Sequence, residues 1–197
     1  MATPGRSSGN VDRSRPMRAD ARRNFDRLIV AAREAFTEHG PEASLDDIAR
    51  RAGVGPGTLY RHFPARLALL EAVYRDDITR LSDRARELLA EKPIEEALGT
   101  WMLEQVEYVL YRRALAATLK TALDRDSETM AYCKTTMREA ADAMLVRAKE
   151  AGLVRPEVTG SDLLRLGHAI GYASEYAPED AERMLSYMLD GLRPRPR

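Results

Sequence analysis

The sequence predicts an all-α chain: an N-terminal three-helix helix-turn-helix domain joined by one long helix to a larger C-terminal helical bundle. Three observations predict it. Apolar residues return every three or four positions from residue 24 to residue 192, the period of a helix with one buried face. No run alternates apolar and polar residues at strand spacing, no turn dipeptide joins β runs, and no internal repeat occurs. Between Ser44 and Phe63 the run S-L-D-D-I-A-R-R-A-G-V-G-P-G-T-L-Y-R-H-F sets two short helices about a glycine turn.

Residues 1 to about 20 hold Pro, Gly, Ser and Arg without periodicity and are expected to be disordered. Arg13, Arg15, Arg18, Arg22 and Arg23 form either a basic arm that follows phosphates or a solvated tail. Residues 24–39 read as the first helix, with Phe25, Leu28, Ile29, Ala32 and Phe36 inward and Gly40-Pro41 ending it. Ser44 caps the second helix by accepting from a backbone N–H, and Asp46 and Asp47 suit its positive end. Leu45, Ile48, Ala49 and Ala52 supply its apolar face, and Gly53 stops it. Ala49 keeps the closest approach of the two helices small. Pro56 opens the third helix, which carries Leu59 inward.

The third helix shows donors to solvent. Thr58, Tyr60, Arg61 and His62 can all donate, Gly57 holds nothing away from its surface, and Pro56 and Gly57 lie at its N-terminus. Helix N-termini, hydroxyls and Arg are the usual binders of phosphate, and a second helix of this kind enters a major groove. Helix pairs with a glycine turn also occur where nothing binds, so the bare pattern leaves both readings open.

A long fourth helix begins near Ala65. Tyr74, Ile78, Leu81, Ala85 and Leu88 give it one continuous stripe, uninterrupted until Pro93. It reads as a core helix or as a lever between two sites. Five further helices follow: 94–111 with Ile94, Leu98, Trp101, Gln105 and Tyr108 on one face; 113–124 with Leu115, Leu119 and Leu123; and 127–151, capped by Ser127. The last two are one capped by Ser161, holding Leu163, Leu166, Ile170 and Ala173, and one opened by Pro178, holding Ala181, Met184, Leu185, Met188 and Leu192. The terminal R-P-R-P-R is expected to be disordered.

Net charge is zero, but its distribution is not even: through Arg66 there are 12 basic and 8 acidic residues, beyond it 19 and 23. A positive first third and a negative remainder suit one end facing a polyanion. The single Cys133 excludes an internal disulfide, and together with the lack of a signal-like or membrane-length apolar segment it leads us to expect a cytoplasmic chain with no membrane partner. His39, His62 and His168 stand apart with no carboxylate or thiol at metal-ligand spacing, and no phosphate loop, dinucleotide fingerprint or nucleophile elbow occurs. We therefore expect no metal, no cofactor and no enzyme. Asp76-Asp77 reads as a solvated acidic face, His168 as a core histidine or a ligand contact, and Cys133 as plain core or a redox sensor.

The stretch A-G-V-G-P-G-T-L-Y-R-H-F-P (52–64), with R-L-A-L-L at 66–70 and R-L-I-V-A-A-R-E-A-F-T-E-H-G at 27–40, resembles the DNA-binding domain of the tetracycline-repressor-like (TetR) family. The resemblance covers about the first third of the chain. It implies an all-helical, homodimeric transcription regulator with a C-terminal domain for a small-molecule effector and for dimerisation. By position, Ser44 resembles the hydroxyl that bonds a phosphate, and Thr58, Tyr60 and His62 match recognition-helix contacts. Arg66 stands where the family often has Lys, and Gly55 replaces a frequent Ser. Pro56, Gly57 and Arg61 complete the expected DNA surface. The family's small-molecule site suggests Trp101, Gln105, Tyr108, Thr118, Met137 and His168 as lining, each of which reads equally as core. Its four-helix dimer bundle suggests Gly167, Ile170, Gly171, Leu185, Met188 and Leu189 as interface. The expected divisions are a disordered basic tail over 1–21, a head over 22–68 (helix-turn-helix 44–63), a C-terminal domain over 69–192 and a tail over 193–197.

The reading is a repressor that binds a palindromic operator as a dimer and is released by a largely apolar effector. Two alternatives stay open: a DNA-binding regulator with no inducer, and a helical enzyme with an incidental helix-turn-helix.

Overall fold

The structure, a computed structural model, describes residues 14–123 and 127–194, with side chains from residue 19 onward. The described residues form α1 (Ser14–His39), α2 (Leu45–Arg51), α3 (Pro56–His62), α4 (Arg66–Glu91), α5 (Ile94–Ala122), α6 (Glu128–Glu150), α7 (Gly160–Ala173) and α8 (Ala181–Leu192). Two 3₁₀ turns, Ser174–Tyr176 and Pro178–Asp180, precede α8.

Helix α1 starts well before the predicted residue 24. Pro16 falls in its first turn, where the missing N–H has no helical partner to lose, and no Gly or Pro follows until Gly40. Arg23 pairs with Asp20 one turn away. Residues 19–27 are exposed on nearly every side, so they lack the apolar stripe by which a helix is read. Residues 1–13, including Arg13, lie outside the described residues.

Two cores organise the chain. The head core gathers Leu28, Ile29, Ala32 and Phe36 of α1, Ile48 and Ala49 of α2, Leu59 of α3 and Leu69, Leu70 and Val73 of α4. The body core joins Ile78, Ala85 and Leu88 of α4 to Trp101, Met102 and Val106 of α5, Met137, Ala141 and Met144 of α6, Leu163 and Ile170 of α7, and Leu185 of α8. Helix α4 enters both, as its unbroken stripe predicts. Phe25, predicted inward, is 38% exposed and instead lies against Phe63 with ring centroids 5.3 Å apart.

Helix α5 departs from the prediction in a way that matters for function. Two helices were expected over 94–111 and 113–124; one continuous helix stands in their place. No Gly or Pro lies between Thr100 and Ala122, and the stripe Trp101, Gln105, Tyr108, Leu115, Leu119 runs through the predicted break. Leu115 and Leu119 are buried in the head core. The body thus reaches the head along two helices, not one.

Ser127 caps α6 by accepting from Met130 N at 3.3 Å. The cap of α7 is Thr159, not Ser161: Thr159 Oγ1 accepts from Asp162 N and the Asp162 carboxylate accepts from Thr159 N, a reciprocal box. Leu166 and Ala173, predicted inward on this helix, face solvent. Pro178 opens a 3₁₀ turn and the final helix starts at Ala181. Within the tail expected to be disordered, Arg193 donates to Glu95 at 2.9 Å, and Arg155 N donates to Leu192 O at 2.9 Å; residues 195–197 lie outside the described residues.

Candidate nucleic-acid interface and ligand cavity

The turn between α2 and α3 is fixed by backbone chemistry. Gly53 adopts φ +63°, a left-handed conformation that costs glycine little, and Val54 N donates to Ala49 O at 3.0 Å. Ala49 of α2 and Leu59 of α3 are each 1% exposed in the head core. Leu59 therefore roots α3 in the head while Pro56, Gly57, Tyr60 and Arg61 face solvent and Thr58 and His62 are half-buried. His62 lies between Phe25 and Phe63, with centroids at 6.1 and 6.2 Å, which ties the end of α3 to α1. A Cβ built on Gly57 meets nothing within 4 Å. Among the described residues nothing fills the space that a side chain would take there.

Ser44 is exposed and accepts from Asp47 N at 3.3 Å as the cap of α2. That bond uses an acceptor lone pair and leaves the hydroxyl proton free to donate. Asp47 also holds Arg50 and Arg51, and the hydrogen bond from Arg51 keeps its carboxyl below the usual range. Arg66, expected at a phosphate, makes hydrogen bonds within the head. Its Nη1 donates to Pro41 O at 3.0 Å and to Ala43 O at 2.5 Å, so its guanidinium holds the loop before α2 onto the start of α4. Arg22 and Arg23 are exposed on α1, Arg23 being paired with Asp20.

In the body, a cavity of about 200 Å³ lies between α4, α5, α6 and α7, lined by Tyr74, Ile78, Leu81, Gln105, Tyr108, Val109, Met130, Cys133, Lys134, Met137, Leu164 and His168. Gln105, Tyr108, Met137 and His168 were expected there. Trp101 and Thr118 were expected too, and the structure places both elsewhere. Trp101 is fully buried in the core with its Nε1 donating to Leu81 O at 2.9 Å. Thr118 donates to Ala114 O at 3.1 Å on its own helix. The residues missed, Tyr74, Ile78 and Leu81 on α4 and Cys133 and Lys134 on α6, belong to visible stripes. What the sequence does not state is which stripes face one another. Burial pushes the Tyr74 phenol up to about 12 and the Cys133 thiol up to about 11. Cys133 therefore stays a thiol at neutral pH, the less reactive form. His168 is not a core histidine: it sits solvent-facing at the rim, and partial burial, then Lys120, lower its basicity.

A second, more open cleft of about 630 Å³ adjoins the first through Tyr108 and Leu81 and is lined by charge. At its floor Asp77 is 5% exposed, not the solvated acid expected of Asp76-Asp77. Arg33 of α1 donates to it at 2.6 Å and also pairs with Asp76. Arg112 of α5 lies 3.6 Å from Asp77 Oδ2 and donates to Arg33 O at 2.9 Å. Burial is the largest influence on Asp77 and raises its pKa despite both arginines. Head, connecting helix and body thus meet at one ionic node.

The residues expected at a dimer interface pack as follows within the chain. Gly167 faces α5 of its own chain, where a Cβ would stand 2.8 Å from Gln105 Oε1. A Cβ on Gly171 would stand 2.7 Å from Val109 Cβ. Ile170 and Leu185 are likewise buried inside the body, and Met188 and Leu189 pack against it. The large apolar residues left outside on these helices and the turn between them are Leu166, Tyr172, Tyr176 and Tyr187, at 38%, 40%, 90% and 66% exposure.

Among the described residues no cluster of His, Cys, Asp and Glu could hold a metal, and no helix is long and apolar enough to cross a membrane. Comparison with known proteins places this arrangement. Residues 28–73 match the model for bacterial regulatory proteins of the tetR family, and residues 93–194 match the SbtR-like transcriptional regulator C-terminal domain. The transcriptional regulator UidR of Escherichia coli is 29% identical over 188 residues, covering 90% of this chain and 93% of UidR. The crystal structure of a TetR transcriptional regulator from Streptomyces coelicolor is 36% identical with a TM-score of 0.75, covering 87% of this chain and 99% of that one. A TetR transcription regulatory protein from Mycobacterium vanbaalenii is 34% identical with a TM-score of 0.74, covering 91% and 100%.

Proposed function

The chain belongs to the TetR family of transcriptional regulators, which bind DNA and are not enzymes, and from that premise we propose that it is a repressor, released from a palindromic operator by a small and largely apolar effector. The observation that carries the reading is α3: Leu59 anchors it while Gly57, Tyr60 and Arg61 stand clear of the protein. In this reading Tyr60 and Arg61 meet base edges and phosphates, Thr58 and His62 contact the backbone, and Pro56 and Gly57 let the helix N-terminus approach closely. Ser44 donates to phosphate from the start of α2. Arg66 acts by positioning the loop that carries Ser44.

Two copies are needed, because one short helix reads too little. Recognition helices about 34 Å apart reach successive major grooves on one face of B-DNA, and an isologous dimer then selects a palindrome. The exposed Leu166, Tyr172, Tyr176 and Tyr187 on α7, α8 and the turn between them supply the dimer face. The effector occupies the cavity at Gln105 and Tyr108. It biases a dimer whose heads are spaced wrongly for the grooves, which it can do only by binding that form more tightly. With no membrane-length helix among the described residues, the working place of such a regulator is the cytoplasm.

Footprinting of the full chain on the DNA beside its own gene tests this. Two protected half-sites one helical turn apart, at a stoichiometry of two chains, are expected. A single unsplit site bound by one chain would overturn the dimeric reading.

A further inference from the structure

Two buried polar atoms stand in the wall of the smaller cavity. Gln105 is 4% exposed and its Oε1 has no hydrogen-bond partner among the described residues; the Tyr108 hydroxyl, one turn further along α5, is buried and equally unpartnered. Folded chains rarely leave one buried polar side-chain atom dry, and two neighbours on one helix face define a place where a third group belongs. Gly167 adds to this: any Cβ there would stand 2.8 Å from Gln105 Oε1, so the missing side chain makes room for the carboxamide.

Around that polar spot the wall is apolar: Ile78, Leu81, Val109, Met130, Met137 and Leu164. Lys134 is the one Lys, Arg, Asp or Glu among its lining residues. Burial holds Tyr74 and Cys133 neutral, His168 is pushed toward its neutral form, and Asp77 behind Tyr108 is already engaged by Arg33 and Arg112. Lys134, the remaining cation of the lining, is exposed at the rim. A charged group placed against Gln105 and Tyr108 would thus be desolvated with no counter-ion among the buried lining residues. The volume, about 200 Å³, compares with the roughly 150 Å³ apolar cavity that holds a benzene ring.

We propose that this cavity binds a neutral, single-ring molecule bearing one hydroxyl or carboxamide, which donates to Gln105 Oε1 and accepts from the Tyr108 hydroxyl. The proposal deepens, and for its regulatory consequence rests on, the effector-responsive reading above. A hydroxyl and a carboxamide share the needed chemistry, a donor and an acceptor on one uncharged group.

The test uses the full chain and four probes of similar size: p-cresol, benzamide, toluene and benzoate. Binding is followed by calorimetry and by the emission of the one tryptophan, Trp101. We expect p-cresol and benzamide to bind, toluene to bind about tenfold more weakly or worse, and benzoate to bind at least about a hundredfold more weakly. Tyr108→Phe and Gln105→Leu should each weaken p-cresol about tenfold while leaving toluene within about twofold, which also shows that the variants keep their cavity. Benzoate matching benzamide, toluene matching p-cresol, p-cresol indifferent to both variants, or no probe binding at all would each overturn the proposal. A parallel DNA-retardation arm separates the two readings. If p-cresol binds as expected yet leaves the DNA complex untouched, the ligand class stands and the effector-responsive reading fails.

Discussion

At the scale of single residues, Gly57 and Asp77 carry the sharpest expectations. Gly57 lies in α3 with open space where a Cβ would stand, so Gly57→Ala should raise thermal stability slightly, by about 0.5–1 kcal/mol. If the helix meets DNA closely, the same methyl group should weaken operator binding about tenfold, since each lost contact of this kind is worth about 1–3 kcal/mol. Paired melting curves and fluorescence anisotropy check both halves, and opposite signs in the two assays are the expected signature. Asp77 gives a pH dependence. Its folded pKa is raised above the ordinary value of 3.8 by burial, so the folded state holds the proton more tightly than the unfolded one. Stability from this group therefore rises as pH falls through the folded pKa toward 3.8, opposite in sign to that from Asp47 and Asp162, whose values are lowered. Melting temperatures of the native chain and Asp77→Asn across acidic pH should diverge in favour of the native chain as pH falls.

At the scale of elements, α5 is the unexpected connector. Gln105 and Tyr108 touch the cavity, Arg112 reaches the ionic node, and Leu115 and Leu119 enter the head core. Ten residues of helix separate Gln105 from Leu115, a span of about 15 Å at 1.5 Å per residue. Leu119→Ala should destabilise the head by about 2–5 kcal/mol, because a fully buried leucine leaves a cavity. Arg112→Ala should keep effector affinity within about threefold yet blunt effector-driven release from DNA, since it cuts the body off from Arg33 without touching the cavity; titrating release in both proteins checks this. Part of this architecture is legible in the sequence and part is not. Local chemistry announces itself: Ser44 and Ser127 cap where their hydroxyls reach a backbone N–H within three residues, and Gly53 turns where a positive φ is needed. The box at Thr159 is equally local, since Asp162 stands three residues after it. Long-range facts are hidden. The 167/171 glycine pair signals close helix approach but not that the neighbour is α5 of the same chain. Trp101 and Gln105 share a stripe, and only the packing shows that one is core and the other cavity wall.

At the scale of the whole molecule, the proposed function depends on two heads held at one span. The large apolar residues that α7, α8 and their connecting turn leave outside are Leu166, Tyr172, Tyr176 and Tyr187. Tyr172→Glu with Tyr187→Glu should convert a dimer seen by light scattering into monomer and, with it, abolish tight binding to a full palindrome while half-site binding persists. A double variant that stays dimeric would move the interface elsewhere. Phosphate contacts by both heads should also give a steep fall of affinity with salt. The central claim remains that α3 is an exposed reading helix, and one measurement addresses it directly. Tyr60 and Arg61 are both solvent-facing with no role in the core, so Tyr60→Ala with Arg61→Ala should fold as the native chain does by circular dichroism. In fluorescence anisotropy against the operator and a scrambled duplex, the account expects that variant to lose about a hundredfold or more in operator affinity and most of its preference over the scramble. Undiminished affinity and preference in the folded variant would contradict it.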